Sequence, residues 1–314
     1  MLTDVRESPR PILYPQAEKY WDLQVHSRWS HKDVKTQDDL MDWQYKMQEP
    51  HKQAVCRTLG LFSIVESYVG NQWAVMANWF PNVEMQGACY QAAAGETVHI
   101  RAYLNTIDSL NIGDQVIADV SHIKPLRDKI DYLVGAAKTE NWHDRMLSIA
   151  VFSAFTEGVN LFSTFALLIY FSRKGMMKGI KRTIEWSARD ESLHSEFGCW
   201  IFNTMARENP SLRTPELEAA VIEAAHTAVA LEDAYLDFVF GDQDSIFELT
   251  KADLKQYTRH RADCKLADIG YRPIFNVGPS LRWIDRMLAG EQNTDNFDGK
   301  PSEYTSGMNV EDAW

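Results

Sequence analysis

Three features of this 314-residue sequence predict an all-α fold. Glycine and proline are scarce between about residue 36 and residue 270, and the stretches between them are rich in helix formers. Apolar positions in those stretches follow helical spacing rather than the alternation of a strand. With 45% hydrophobic and 24% charged residues, the chain can bury a substantial core, in one large domain or two.

Residues 1–35 are irregular and aromatic and read as an N-terminal arm lying on a bundle. Helical runs follow at about 36–47, 50–78, 82–110, 115–136, 142–172, 175–207, 214–240 and 248–269, with a short one at 279–289, so the bundle occupies 36–290. Pro81, in "FPNVEM", stands at a helix start, where a missing N–H is harmless. The stretch "MLSIAVFSAFTEGVNLFSTFALLIYFS", residues 146–172, is long and apolar enough to cross a membrane. Glu157 and Asn160 near its middle would make lipid a costly surrounding, so it reads as a central helix in contact with other helices all round. Residues 291–314 are polar, acidic and poor in apolar residues, which predicts a flexible tail. Its spaced aromatics, Phe297, Tyr304 and Trp314, suggest a segment that docks on a partner.

A formal net charge of −12 argues against a surface that neutralises phosphate backbones, so nucleic acid is not an expected partner. Cys56, Cys89, Cys199 and Cys264 are far apart and form no Cys-x-x-Cys pair, which excludes a thiolate zinc site of that kind and fits a reducing compartment. The first residues, "MLTDVRESPRPILYPQ", lack the basic start and apolar stretch of a signal peptide. A cytoplasmic protein outside the membrane is expected.

Glu-x-x-His occurs at Glu96/His99, Glu140/His143, Glu191/His194 and Glu223/His226. Such a match alone is weak, because two exposed residues on a solvated helix face produce it. Glu140/His143 falls in a polar connection, and Glu223/His226 follows no helix with a lone buried acid. The other two do. Glu66 interrupts "LGLFSIVESYVG" thirty positions before Glu96, and Glu157 interrupts the long apolar run thirty-four positions before Glu191. That distance takes a chain along half a helix, round a short loop and back to the same level. The result is Glu, Glu-x-x-His, Glu, Glu-x-x-His on four helices, the arrangement of the dimetal carboxylate sites of ferritin-like bundles. Four buried carboxylates without counter-charge would be prohibitive, whereas two divalent cations neutralise them. Oxygen donors plus imidazole suit iron or manganese. Asp190, directly before Glu191, is placed to accept from a ligand histidine, and Leu161 and Phe165 would form an apolar wall around the metals.

At "ARDESLHSEFG" and "GETVHIRAY" the sequence resembles the small, radical-generating subunit of class I ribonucleotide reductase, and the likeness extends from about Pro11 to Gly270, including "LADIGYRPIF". The resemblance implies a ferritin-like bundle with Glu66, Glu96, His99, Glu157, Glu191 and His194 as ligands of two metal ions. It places Tyr103 at the position of the radical tyrosine. By the same resemblance Trp29, in "SRWSHKDV", matches the tryptophan that continues the radical path by way of Asp190 and His99, and Tyr304 is the candidate for the tail tyrosine that passes the radical to the large subunit. It further implies a homodimer that works with that large, catalytic subunit, where nucleotides are reduced and nucleotide control resides.

One departure bears on the metal. The first ligand, usually aspartate in iron-tyrosyl members, is Glu66 here, while Tyr103 is retained. That combination most resembles the dimanganese subclass, class Id, in which superoxide rather than dioxygen is the activating oxidant and the tyrosine stays reduced. Manganese-iron and di-iron centres are the alternatives. The rival functions are a self-contained dimetal oxidase or oxygenase acting on a small organic or lipid-like substrate, and metal storage.

Overall fold

The computed structural model describes residues 1–288. The first 35 residues are not wholly irregular: they contain α1 (Pro15–His26), whose leading proline suits a first helical position. This helix packs on two of the bundle's long helices, so the arm is fastened along its length. The run expected at 36–47 is a 3₁₀ turn at Thr36–Asp39 followed by the short α2 (Leu40–Tyr45).

Two long helices come next, α3 (Glu49–Ala77) and α4 (Val83–Ser109), packed against each other. The helix expected at 115–136 is two, α5 (Asp114–Ser121) and α6 (Lys124–Ala136). The break precedes Pro125, which can open a helix but cannot continue one.

The apolar stretch forms one continuous helix, Trp142–Arg173, whose most apolar window is wholly buried within the protein. Its flanks are α7 (Trp142–Ile149), opened by an Asn141–Asp144 capping box, and α8 (Leu161–Arg173). Between them Ala150–Asn160 is wound as a π-helix. The Thr156 hydroxyl donates to the carbonyl of Val151, five residues back, and Arg261 Nε donates to the carbonyl of Gly158 at 2.9 Å. π-Winding is rare and concentrates at functional sites, and Glu157 lies inside it.

The last long helix of the frame, α9 (Lys178–Glu208), runs against the π-segment and α8. α10 (Pro215–Phe240), capped by Thr214, and α11 (Lys251–Asp268), opened by a Thr250–Asp253 capping box, cover the π-segment from the other side. The expected start of α11 at 248 is displaced, because Ser245–Ile246 and Leu249–Thr250 pair as a two-residue antiparallel ladder. A short α12 (Arg282–Leu288) ends the described chain.

Two glycines let the frame close. A Cβ on Gly198 of α9 would stand 2.0 Å from Cβ of Ser153 in the π-segment, and one on Gly70 of α3 would stand 2.9 Å from Cβ of Glu96 on α4. Backbones therefore approach more closely at these levels than any side chain permits. Gly198→Ala should lower unfolding stability by about 1–3 kcal/mol through overpacking. Denaturant titration at unchanged slope would measure it, and a neutral result would mean the two helices are free to separate.

A second buried polar group ties the outer helices in. Glu232 of α10 accepts from Lys129 Nζ of α6 and from the Ser163 hydroxyl of α8. Pairing is what allows a buried lysine and glutamate here, since either charge alone would be strongly unfavourable.

Candidate metal centre

α3, α4, the π-segment and α9 each bring a carboxylate to one level, and all six residues singled out by spacing meet there. Glu66, Glu96, Glu157 and Glu191 are fully buried, as are His99 and His194. Their ligand atoms form two interlocked quartets. Glu66, Glu96, His99 and Glu191 offer atoms within 4.8 Å of one another, as do Glu96, Glu157, Glu191 and His194. Glu96 and Glu191 belong to both quartets and so lie where carboxylates would bridge two ions.

Both imidazoles face inward through Nδ1. His99 Nδ1 is 3.0 Å from Glu96 Oε2 and 2.9 Å from Glu191 Oε1. His194 Nδ1 is 2.8 Å from Glu96 Oε1 and 3.6 Å from Glu157 Oε1. Proximity here is largely not hydrogen bonding. Glu66 Oε2, Glu96 Oε1, Glu157 Oε2, both oxygens of Glu191 and His194 Nδ1 are buried without an aligned partner. Buried polar atoms are seldom left so, and six of them converging from four helices are what a pair of cations would satisfy. Oxygen-rich donors with two imidazoles fit iron or manganese.

Protons do part of that work in the metal-free protein. Burial, then the neighbouring Glu191 and Glu96, push Glu66 well above the ordinary carboxyl range. Burial followed by the same two neighbours does so for Glu157. Glu191 rises to about 7, from burial and Glu96 against the pull of the two histidines. Glu96 goes the other way: burial would raise it, but His99 and His194 hold it below the usual range. Burial opposes ionisation of His99, yet Glu96, Asp190 and Glu191 raise it well above its ordinary value.

Outside the carboxylates, a hydrogen-bonded line leads toward the surface. Asp190 Oδ2 lies 3.3 Å from His99 Nε2 and accepts from Trp29 Nε1 at 2.7 Å. Its other oxygen takes two bonds from Arg189, and the Trp29 ring stacks on His99 at 5.8 Å between centroids. Tyr103, fully buried one turn beyond His99, donates to Glu66 Oε1 at 3.2 Å. Burial and Glu66 keep its phenol protonated. Phe165 reaches Tyr103 through Phe62, with centroids 4.9 and 5.1 Å apart, and Leu161 is buried in the same core. Tyr304 lies outside the described residues.

The remaining Glu-x-x-His matches stay out of the centre. His143 is in the first turn of α7, and His226 packs on Phe275 at 5.2 Å. Two contributors escaped the sequence reading. Trp73 donates Nε1 to Glu157 Oε1 at 2.5 Å. It follows Glu66 by seven positions on the same helix face, a signal that was there to use. Arg261, bonded to the Gly158 carbonyl and lying 3.6 Å from the Phe162 ring centroid, had no such signal because its partner is a backbone atom of a distant helix.

The chain matches a family model described as ribonucleotide reductase, small chain, over residues 7–280. A probable ribonucleoside-diphosphate reductase small subunit of Invertebrate iridescent virus 3 is 31% identical over 317 residues, covering 95% of this chain and 84% of that protein. The ribonucleoside-diphosphate reductase subunit beta of Chlamydia pneumoniae is 24% identical over 314 residues, covering 96% and 90%. A putative class I ribonucleotide reductase from Bacillus halodurans overlays with a TM-score of 0.81 at 19% identity, over 87% of this chain and 99% of that one. The Streptococcus sanguinis dimanganese(II)-NrdF overlays with 0.77 at 17% identity, over 89% and 98%. At these identities the overlays speak for the fold.

Proposed function

Because the chain belongs to the ribonucleotide reductase small-chain family, we propose that its six converging ligand residues form the dimetal centre from which the enzyme's radical chemistry starts. The protein is a small subunit of ribonucleoside-diphosphate reductase, which acts together with the large subunit. The observation that carries the assignment is the pair of interlocked quartets sharing Glu96 and Glu191.

In this reading Glu66 and His99 would hold one metal and Glu157 and His194 the other, with Glu96 and Glu191 available to both. When bound and oxidised, the two metals supply a one-electron oxidant strong enough to act on a distant thiol of the large subunit. Trp73 fixes the rotamer of Glu157 by its N–H, and Arg261 fixes the backbone beside it. The Asp190 carboxylate orients His99 through Nε2 and holds the Trp29 N–H on its other side, so the buried centre and the arm share one hydrogen-bonded line. Charge passes outward along that line, and Tyr304 continues it in the tail, 291–314, which docks on the large subunit. The full assembly is built on a homodimer in the cytoplasm.

Glu66 together with retained Tyr103 favours two manganese ions activated by superoxide over manganese-iron or di-iron centres activated by dioxygen. Metal analysis with electron paramagnetic resonance after activation tests this directly. Tyr103→Phe separates the cofactor types. With manganese the variant should keep most deoxynucleotide formation, since the loss is one hydrogen bond to Glu66, worth about 1 kcal/mol. Complete loss at normal metal content would contradict storage of the oxidising equivalent in the metals.

A further inference from the structure

The ligand-bearing interior is flanked by side chains without solvent exposure, among them Phe62, Trp73, Tyr103, Phe165 and Phe197. One side differs. A cavity of about 270 Å³ opens between α1, α4 and α9 and is lined by Gln24, Arg28, Gln91, Gly95, Asp190 and His194 among others. It is the size of several water molecules and polar enough to hold them.

The two histidines meet this surrounding differently. His99 has its outer nitrogen held by Asp190. His194 turns its Cε1–Nε2 edge toward Gly95, 3.5 Å from where a Cβ would stand, and lines the cavity while Nδ1 points at the carboxylates. Gly95 is thus the point at which a side chain would intrude between cavity and ring. Ala94 is exposed on the same wall. Arg28 places its guanidinium at the mouth, where Nη2 donates to Gln91 Oε1 at 2.9 Å, an amide rather than a carboxylate. Its charge is therefore available to an incoming anion.

We propose that this cavity is the access route of a small oxygen-derived oxidant to the metal centre, with Gly95 as its gate and Arg28 favouring the anionic form. The inference rests on the dimetal reading. The cavity ends one ring's width from the ligand cluster, at the His194 imidazole, so a diatomic molecule that enters it stands beside a ligand residue.

Nitric oxide and azide serve as neutral and anionic probes of the Fe(II)-loaded protein under anaerobic conditions, followed by stopped-flow absorbance. Gly95→Leu should slow nitric oxide binding at least tenfold with two metals per chain retained. Ala94→Trp, at an exposed position, should do the same by narrowing the mouth if Gly95→Leu disturbs the neighbouring Glu96. Arg28→Gln should slow azide while leaving nitric oxide unchanged. Parental nitric oxide rates in both wall variants, with two metals bound, would overturn the route. Parental azide rates in Arg28→Gln would overturn the preference for an anion. Failure to bind two metals in the unsubstituted protein would overturn the dimetal reading itself, so the two failures are told apart.

Discussion

Glu191→Gln should leave the metal-free protein folded and more stable at pH 8 than the parent, yet unable to hold two metals. The amide keeps the shape of the side chain and removes a charge that the buried site disfavours. Glu191 stands at about 7 in the folded protein against an ordinary 4.5, chiefly through burial. A carboxyl raised in this way contributes its full stability below the unfolded value and loses it as pH rises through the folded one. Between about pH 4.5 and 7 the parent therefore gives up roughly 3 kcal/mol on this account, and the glutamine variant does not. With metal the order reverses, because ligand binding stabilises only the protein that can bind. Denaturation with chelator at pH 5.5 and 8, followed by manganese titration, measures both effects. Two metals per chain in the variant would remove Glu191 from the proposed ligand set.

Asp190→Asn should reduce deoxynucleotide formation with the large subunit by about 100-fold or more, some 2.7 kcal/mol in barrier, without loss of metal. Asp190 faces two donors with one oxygen, at 2.7 Å from Trp29 Nε1 and 3.3 Å from His99 Nε2. Burial would raise its pKa, but the bond from His99 and the charge of Arg189 lower it, so the group is an ionised acceptor. Asparagine offers one acceptor and an NH₂, and either orientation turns a donor toward a donor. Trp29→Phe should cause a comparable loss, because it deletes the N–H and the indole together. If both residues act in one line, the double variant should be little worse than either single one. Near-parental turnover with both substitutions would mean that charge leaves the centre elsewhere.

The site was more legible than the fold's details, for a physical reason. A dimetal centre on helices must repeat every three or four positions along a strand of helix and at matched levels between helices, and both regularities are written linearly. Glu66 and Glu96, and Glu157 and Glu191, could be paired by counting. The break before Pro125 is also written in the sequence, since proline opens a helix but cannot continue one, yet the apolar pattern runs across it unbroken. α1 was hidden in the arm by aromatic and polar residues that look irregular until their face meets α4 and α9. Other features had no linear sign at all. Glu232 on α10 is one of them, because its partners Lys129 and Ser163 come from other helices. Likewise the π-winding depends on which carbonyl each N–H reaches, and "AVFSAFTEGVN" is as good an α-helix by composition.

That winding also bears on which insertions and deletions the family's architecture can absorb. A π-turn is an α-helix holding a surplus residue, so the phase of α8 relative to α7 is set by how many residues the π-segment contains. Deleting one residue between Val151 and Thr156 would relax the winding to α and rewrite the angular offset between the two flanks. Glu157 could then keep its direction only if everything before it turned, or α8 its packing only if Glu157 turned away. The ligand's aim and the helix's seat in the core are thus encoded by chain length as well as by residue identity, and alignments that slide a gap through this segment would misassign the carboxylate.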